Sequence, residues 1–558
     1  MDNIRVILWA LFASLLYISY TVWQQDYAPA PIPQTVENET ATAAEQQAAN
    51  LLPPAGSADL PAAPITAAAQ PGGQTAGGKP APQAAVIQVK TDVFDLDISE
   101  IGGSLVRADL TVYPLAKDQP DIPVRLLSSE ADSFYQLRSG LRNAVQSDKP
   151  EATHLATFGA AKNTYEIGAD EELVVPLLWE NDGIRVEKTY TFKRGSYAID
   201  LDYKITNTGT QPYPMFSYLQ LQRLFKPVER SMFNVDTYSY DGPVVYDGDS
   251  YEKLDVDDLL DEPLTATYVN GWLAAIQHHF LTAAVPAPDQ PANFNAAFDG
   301  KNYTLTSSSP VVTVAPGQTE TVSSKFFIGP KLQGQLADTA KGLPLTVDYG
   351  ILSILAQPLF WVLQQVQKLV VNWGWTIIIV TFLIKLVFYK LTEASGRSMA
   401  KMRKLQPRLK ALQDRYKDDR QQMSAALMDL YKREKVNPAA GCLPMLVQIP
   451  FFIAFYWVLL ESVEMRQAPF MLWITDLSSR DPYFVLPLLM GAAMFIQQKL
   501  NPAPPDPVQA KVMSILPVVF TVFFAFFPSG LVLYWLTNSV LSILQQWKIN
   551  KTVAAESD

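Results

Sequence analysis

Five apolar runs crowd the carboxyl-terminal part of this chain, at about 371–391, 440–462, 483–500, 512–528 and 530–547. Runs of this kind approach the roughly 20 helical residues needed to cross a bilayer's hydrocarbon core. In that medium each backbone N–H and C=O must be satisfied inside its own segment, so the runs read as helices. A sixth run, IRVILWALFASLLYISYTVW at 4–23, stands near the amino terminus. Ala28-Pro29-Ala30 resembles a small-residue cleavage site, so this run reads as a signal peptide or as an anchor. Its full-span length favours an anchor over 1–24, and so does Pro31, which would follow the scissile bond.

Charge divides the rest of the chain. Residues 86–348 hold 21 Lys/Arg against 36 Asp/Glu, whereas 390–435 hold 13 against 6. An acidic region and a basic region separated by apolar spans imply two sides of a membrane, with the basic one in the cytoplasm. Both termini and the loop 501–511 then face the cytoplasm, while 463–482 and the acidic region face outward. A single cysteine, Cys442, excludes an internal disulfide framework, and with three histidines a metal centre is not expected.

Residues 25–85, rich in Ala, Pro, Gln and Thr, read as a disordered linker. Over 86–342 the pattern has period two: VFDLDIS, IRVEKTYTF and YAIDLDYKITNTG alternate apolar and polar residues between turn signals. Short strands at this density predict an all-β sandwich. His278-His279 and the many carboxylates suggest an acid–base pair, but surface charge and histidines at a strand end explain them more simply. No nucleophile, metal spacing or phosphate loop accompanies them.

Residues 343–370 place Gln357, Gln364 and Lys368 on one stripe of a helix that is otherwise apolar. That pattern fits an interfacial amphipathic helix or a helix packed on the sandwich. In 392–439, Met402, Leu405, Leu409, Leu412 and Tyr416 repeat at three and four residues, as do Met423, Leu427 and Leu430. With Asp418-Asp419 between them they predict a helical hairpin. Its charge, including Lys401, Arg403, Lys404, Arg408 and Lys410, is either a solvated face or a contact for ribosomal RNA or lipid headgroups.

Lys385 lies inside TIIIVTFLIKLVFYKLT, where a charge at mid-membrane depth costs at least roughly 2.5–3.5 kcal/mol. It can snorkel toward the surface, or it can face a water-filled recess. Thr381 one turn earlier and the polar Gln448, Gln497, Gln498, Thr521, Thr537 and Asn538 of other spans favour the recess. The run 513–528 is short for a full span, which points to a locally thinned bilayer.

NWGWTIIIVTF, SMAKMRKLQPRLKAL, KVNPAAGCLPMLVQIPFF, SVEMRQAPFMLWITDLSSRDPYFVLP and FPSGLVLYW, spread over 345–547, resemble the Oxa–Alb–YidC family of membrane protein insertases in its Gram-negative form. The resemblance implies an α-helical polytopic membrane core of six transmembrane helices, five of them forming the conserved insertase core. To these it adds a periplasmic, galactose-mutarotase-like β-sandwich and a cytoplasmic helical hairpin. It implies a hydrophilic groove open to the cytoplasm, carrying a positive residue that is usually Arg and is here Lys385. Gln448, Gln498 and Trp535 match other groove positions, with Thr381, Tyr534 and Asn538 beside them. Ile449, Phe451, Phe455, Phe523, Phe524 and Phe527 are the expected path for an apolar substrate segment.

The resemblance further implies no catalytic residue and no cofactor. Its expected partners are nascent membrane proteins, the ribosome, Sec translocon components and membrane lipids, but not DNA. The expected functional state is a monomer in the bacterial inner membrane, with 548–558 as a cytoplasmic tail. A small-molecule transporter and a membrane-anchored carbohydrate enzyme are the alternatives; the first should show an internal repeat, and none is visible.

Overall fold

The computed structural model describes residues 85–145, 150–227, 239–416, 419–434, 443–500 and 507–555. The expected anchor 1–24, the linker up to residue 84, the start of the 440–462 span and Cys442 lie outside the described residues. Two compact units result, one holding 85–350 and 460–467 and the other 351–459 and 468–555.

The first unit is built on sheets of eleven and nine strands. In the nine-stranded sheet Glu172–Asn181, Ile184–Lys193, Ala198–Asn207, Thr319–Pro330, Phe280–Val285 and Trp272–Gln277 lie side by side, all antiparallel. The eleven-stranded sheet includes Asn302–Ser308, Tyr213–Leu224, Tyr135–Asn143, Ser104–Ala116 and Phe94–Ser99 in that order. Alternation sets the strands: Ile184–Lys193 buries Val186, Lys188, Tyr190 and Phe192 and turns the intervening residues outward. The same register places an amine in the core. Lys188 Nζ donates to the Gly102 carbonyl at 2.8 Å and to that of Ser139 at 3.4 Å. The rings of Phe158, Tyr190 and Tyr203 surround it at 5.6, 5.3 and 5.5 Å. The Tyr203 hydroxyl reaches Ser139 Oγ at 2.8 Å, so polar bonds cross from one sheet to the other. Burial pushes the Lys188 amine well below the usual lysine range.

His278 and His279 occupy the turn between Trp272–Gln277 and Phe280–Val285, their rings stacked at 3.8 Å. A His278 ring nitrogen lies 3.0 Å from the Leu460 carbonyl, and burial holds the His279 imidazole well below its ordinary pKa. Beside them Glu461 Oε1 accepts from Ser239 at 2.8 Å and its other oxygen lies 4.0 Å from Lys331 Nζ, both side chains being nearly fully buried. These groups fasten 460–467 into the unit.

The second unit is helical. We label its helices α1 (Ser353–Val370), α2 (Trp373–Val387), α3 (Tyr389–Lys404), α4 (Gln406–Arg415), α5 (Arg420–Arg433), α6 (Leu443–Glu461, whose last two residues belong to the first unit), α7 (Val485–Leu500), α8 (Pro507–Phe524) and α9 (Ser529–Ala555). Among the described residues no single helix is long and apolar enough to cross a membrane. The pair α2 and α3 passes that test together, bent by 68°.

Helix ends depart from the sequence expectation in several places. The run 371–391 breaks at Phe388 instead of continuing. α8 ends at Phe524 rather than 528. α9 continues to Ala555, so most of the expected tail is helical, with Ile549 and Val553 packed on Ala400 of α3. The stretch 343–352 forms two short 3-10 turns ahead of α1. α1 lies along α2 and leaves Ile354, Trp361 and Leu369 exposed.

The residues between α6 and α7 tie the starts of two helices together. Leu477 O accepts from Gly530 N at 2.9 Å at the head of α9. Phe470 O accepts from Asn372 Nδ2 at 3.0 Å, and the Phe470 ring lies against Gly374, where a Cβ would come within 2.0 Å of it. Leu405, between α3 and α4, and Leu409 of α4 form a small apolar cluster with Met402 of α3 and with Leu427, Leu430 and Tyr431 of α5. Asp419 caps α5 by accepting from Gln421 N and Gln422 N.

Candidate functional site

The lysine inside the apolar run meets three helices. Lys385 sits in the last turn of α2, and its Nζ donates to Ser542 Oγ of α9 at 2.8 Å. Gln448 Oε1 of α6 lies 3.5 Å away, at the limit of hydrogen bonding. Gln448 Nε2 donates in turn to Asn538 Oδ1, and Ser542 Oγ donates to the Asn538 carbonyl at 2.7 Å. Lys385, Gln448, Asn538 and Ser542 thus form a closed ring. Every acceptor in it is neutral, and among the described residues no carboxylate pairs with the amine.

A cavity of about 20 Å³ adjoins the ring, lined by Ile384, Lys385, Phe388, Leu391, Thr392, Val447, Gln448 and Phe451. That volume accepts roughly one water, which the exposed donors of an ammonium can bind. The cavity opens beside the break between α2 and α3, because Phe388 at the bend and Leu391 and Thr392 of α3 supply one wall. Phe388 meets Phe451 edge-to-face at 5.1 Å across it.

The remaining expected groove residues divide. Asn538 and Gln448 join the amine, whereas Thr381 is buried and spends its hydroxyl on the Ile377 carbonyl at 2.6 Å. Tyr534 is buried and stacks on Phe455 at 4.4 Å. Trp535 packs on Phe452 at 4.5 Å and on Phe524 at 5.1 Å. Gln498 of α7 does not join the ring among the described residues, and its buried Oε1 has no hydrogen-bond partner. Ser542, which closes the ring, was not singled out from the sequence. A serine in an apolar helix ordinarily satisfies itself against the carbonyl four residues earlier, and Ser542 does so while also accepting from Lys385.

Of the apolar path, Ile449 and Phe523 are exposed, Phe451 and Phe527 are half-buried, and Phe455 and Phe524 are enclosed. Lys401, Arg403 and Lys404 are exposed at the end of α3. Arg408 pairs with Glu434 at 2.6 Å. The Lys410 side chain lies outside the described residues. Among the described residues no cluster of His, Cys, Asp or Glu is arranged to hold a metal.

Family models match nearly all of this architecture. Residues 86–362 match the YidC periplasmic domain, and 365–556 match the 60Kd inner membrane protein. The chain is 47% identical to the membrane protein insertase YidC of Thioalkalivibrio sulfidiphilus, over 99% of both chains. This chain belongs to the YidC family. Its YidC relative from Nitrosococcus oceani is 46% identical over the full length of both chains, and that of Stutzerimonas stutzeri 43% identical over 100% of this chain and 99% of its own. Among solved structures, an active YidC insertase aligns with 83% of this chain and 92% of its own, at 19% identity and a TM-score of 0.37. A galactose mutarotase related enzyme from Lactobacillus acidophilus aligns with 44% of this chain and 97% of its own, at 7% identity and a TM-score of 0.29. Both scores are low, and the assignment to the YidC family rests on the sequence matches.

Proposed function

We propose that the protein is a membrane protein insertase of the inner membrane, which moves nascent chains into the bilayer without making or breaking a covalent bond. The observation that carries this reading is a cation inside an apolar helix, held by neutral groups beside a cavity able to take water. In lipid each unpaired backbone group of a crossing segment costs several kcal/mol. A wet recess partway through shortens that crossing, and the Lys385 amine attracts acidic residues on the moving tail. The apolar part of the substrate passes along Ile449, Phe451, Phe523 and Phe527, while Phe455 and Phe524 support that surface from behind. Hydrophobic transfer and the membrane potential drive the step, and the protein lowers its barrier.

The same reading gives a six-span topology. The amino-terminal run is the first span, and α2, α6, α7, α8 and α9 form the other five. Bilayer thinning offsets their shortness, since the 18 residues of α8 rise only about 27 Å. The acidic sandwich lies in the periplasm. The α4–α5 hairpin and both termini lie in the cytoplasm, with α1 along the outer interface. Lys401, Arg403, Lys404, Arg408 and Lys410 meet the ribosome or anionic lipid, Sec translocon components assemble from the side, and the working unit is a monomer. Nothing in the site or among the relatives favours transport of a small solute or turnover of a sugar.

Photocrosslinking tests this reading. Crosslinkers placed at 448, 451 and 523 should capture a ribosome-stalled nascent membrane protein, and one at the enclosed position 455 should capture far less. Equal capture from all four positions, or none, would refute the groove.

A further inference from the structure

Ser542 stands one turn beyond Asn538 on α9 and contributes the shortest contact to the Lys385 amine, at 2.8 Å. Its hydroxyl proton is already committed, because Oγ donates to the Asn538 carbonyl at 2.7 Å. What remains of that oxygen is acceptor only, aimed at the ammonium. Gln448 is oriented by the same residue: its Nε2 donates to Asn538 Oδ1, which turns Oε1 toward Lys385. One asparagine therefore fixes both acceptors, through its main chain and through its side chain. A lysine ammonium is a point charge with three donors on a flexible four-carbon stem, so without a short acceptor it samples many positions.

We infer that Ser542 is a positioning residue, holding the Lys385 amine against α9 at the level of the cavity so that a crossing carboxylate meets it there. This deepens the groove reading and rests on it. Two donors are spent on neutral acceptors and the third is left for the substrate. Neutrality is the requirement that a serine meets. An aspartate at 542 would hold the amine equally close and would cancel the charge the substrate is meant to find.

The test uses the full chain in proteoliposomes with two readouts. A small amine-reactive reagent, quantified at Lys385 by mass spectrometry, reports how tightly the amine is held. Insertion of paired substrates with acidic and neutral tails reports its use. Ser542→Ala should label at least about tenfold faster, the loss expected for one hydrogen bond to a charged donor, and should slow acidic tails more than neutral ones. Ser542→Thr, which keeps the hydroxyl, should restore both values. Ser542→Asp should label more slowly than the parent and insert acidic tails as poorly as Lys385→Ala. Unchanged labelling in both Ser542→Ala and Ser542→Asp overturns the positioning role, whatever insertion shows. Labelling that shifts as expected while Lys385→Ala inserts every substrate normally leaves the positioning intact and removes the groove reading beneath it.

Discussion

Replacing Lys385 with glutamine separates charge from shape at the proposed groove. The amide is one bond shorter than the lysine stem, whose ammonium lies 2.8 and 3.5 Å from Ser542 and Gln448; it keeps a polar donor in the same recess but carries no charge. A substrate carboxylate about 4 Å from the ammonium gains roughly 4 kcal/mol at an effective dielectric near 20. Partly desolvating that carboxylate costs roughly 2 kcal/mol of this, while the third ammonium donor meets it and the Ser542 and Gln448 contacts stay in place. About 2 kcal/mol remains, a factor of about 30 in rate for a tail whose barrier includes that encounter. Proteoliposome insertion of one substrate, carrying in its translocated tail either one aspartate or an asparagine at the same place, reads this directly. Lys385→Gln should slow the aspartate form about 30-fold and the asparagine form by less than about threefold. Lys385→Arg should keep the aspartate form within about threefold of the parent, because the charge persists although the planar fork fits the ring differently. Equal slowing of both substrates by Lys385→Gln would show that the residue supports the helices and not the encounter.

Two further outcomes concern the β unit. The folded state lowers the Lys188 pKa, so between that value and the unfolded 10.5 the unfolded chain binds more protons. Stability should therefore rise with pH across that window, by at most about 1.4 kcal/mol per pH unit, and Lys188→Met should flatten the rise in urea unfolding followed by tryptophan fluorescence. An unchanged slope in that variant would contradict a Lys188 pKa lowered by burial. Lys331→Ala leaves the Glu461 carboxylate nearly enclosed without its cation, the two side chains being 3% and 6% exposed. Thermal unfolding of the full chain in detergent should show a loss of roughly 3 kcal/mol, more than half of it recovered by adding Glu461→Gln; a loss under about 1 kcal/mol would mean that the pair contributes little.

The strands were legible because one face is buried: period two in IRVEKTYTF and YAIDLDYKITNTG matches the alternating burial of Ile184–Lys193 and Ala198–Asn207. The same register carried Lys188 inward, against the rule of thumb that charge marks the outer face, since two carbonyls and three rings were waiting across the sandwich. In 392–439 Asp419 caps α5 as its sequence suggests, but the apolar repeat from Met402 to Tyr416 is divided at Leu405 between α3 and α4. Phe388 gave no warning. Neither Pro nor Gly marks that bend of 68°. Thr381 looked like a groove residue because it shares a helical face with Lys385, but a threonine hydroxyl can be consumed by its own helix, and this one is. Ser542 is the converse: it satisfies its helix with the proton and still offers a lone pair across it. The two cases differ only in what stands across from each hydroxyl.

Thiol accessibility at position 385 tests the central claim most directly. In a Cys442→Ser background, Lys385→Cys is placed in sealed vesicles of known orientation and exposed to a membrane-impermeant maleimide from either side. Rapid labelling from the cytoplasmic face and none from the periplasmic face is the expected result. A thiol that stays unlabelled from both faces, with and without an engaged nascent chain, would place this site in dry hydrocarbon and contradict the account.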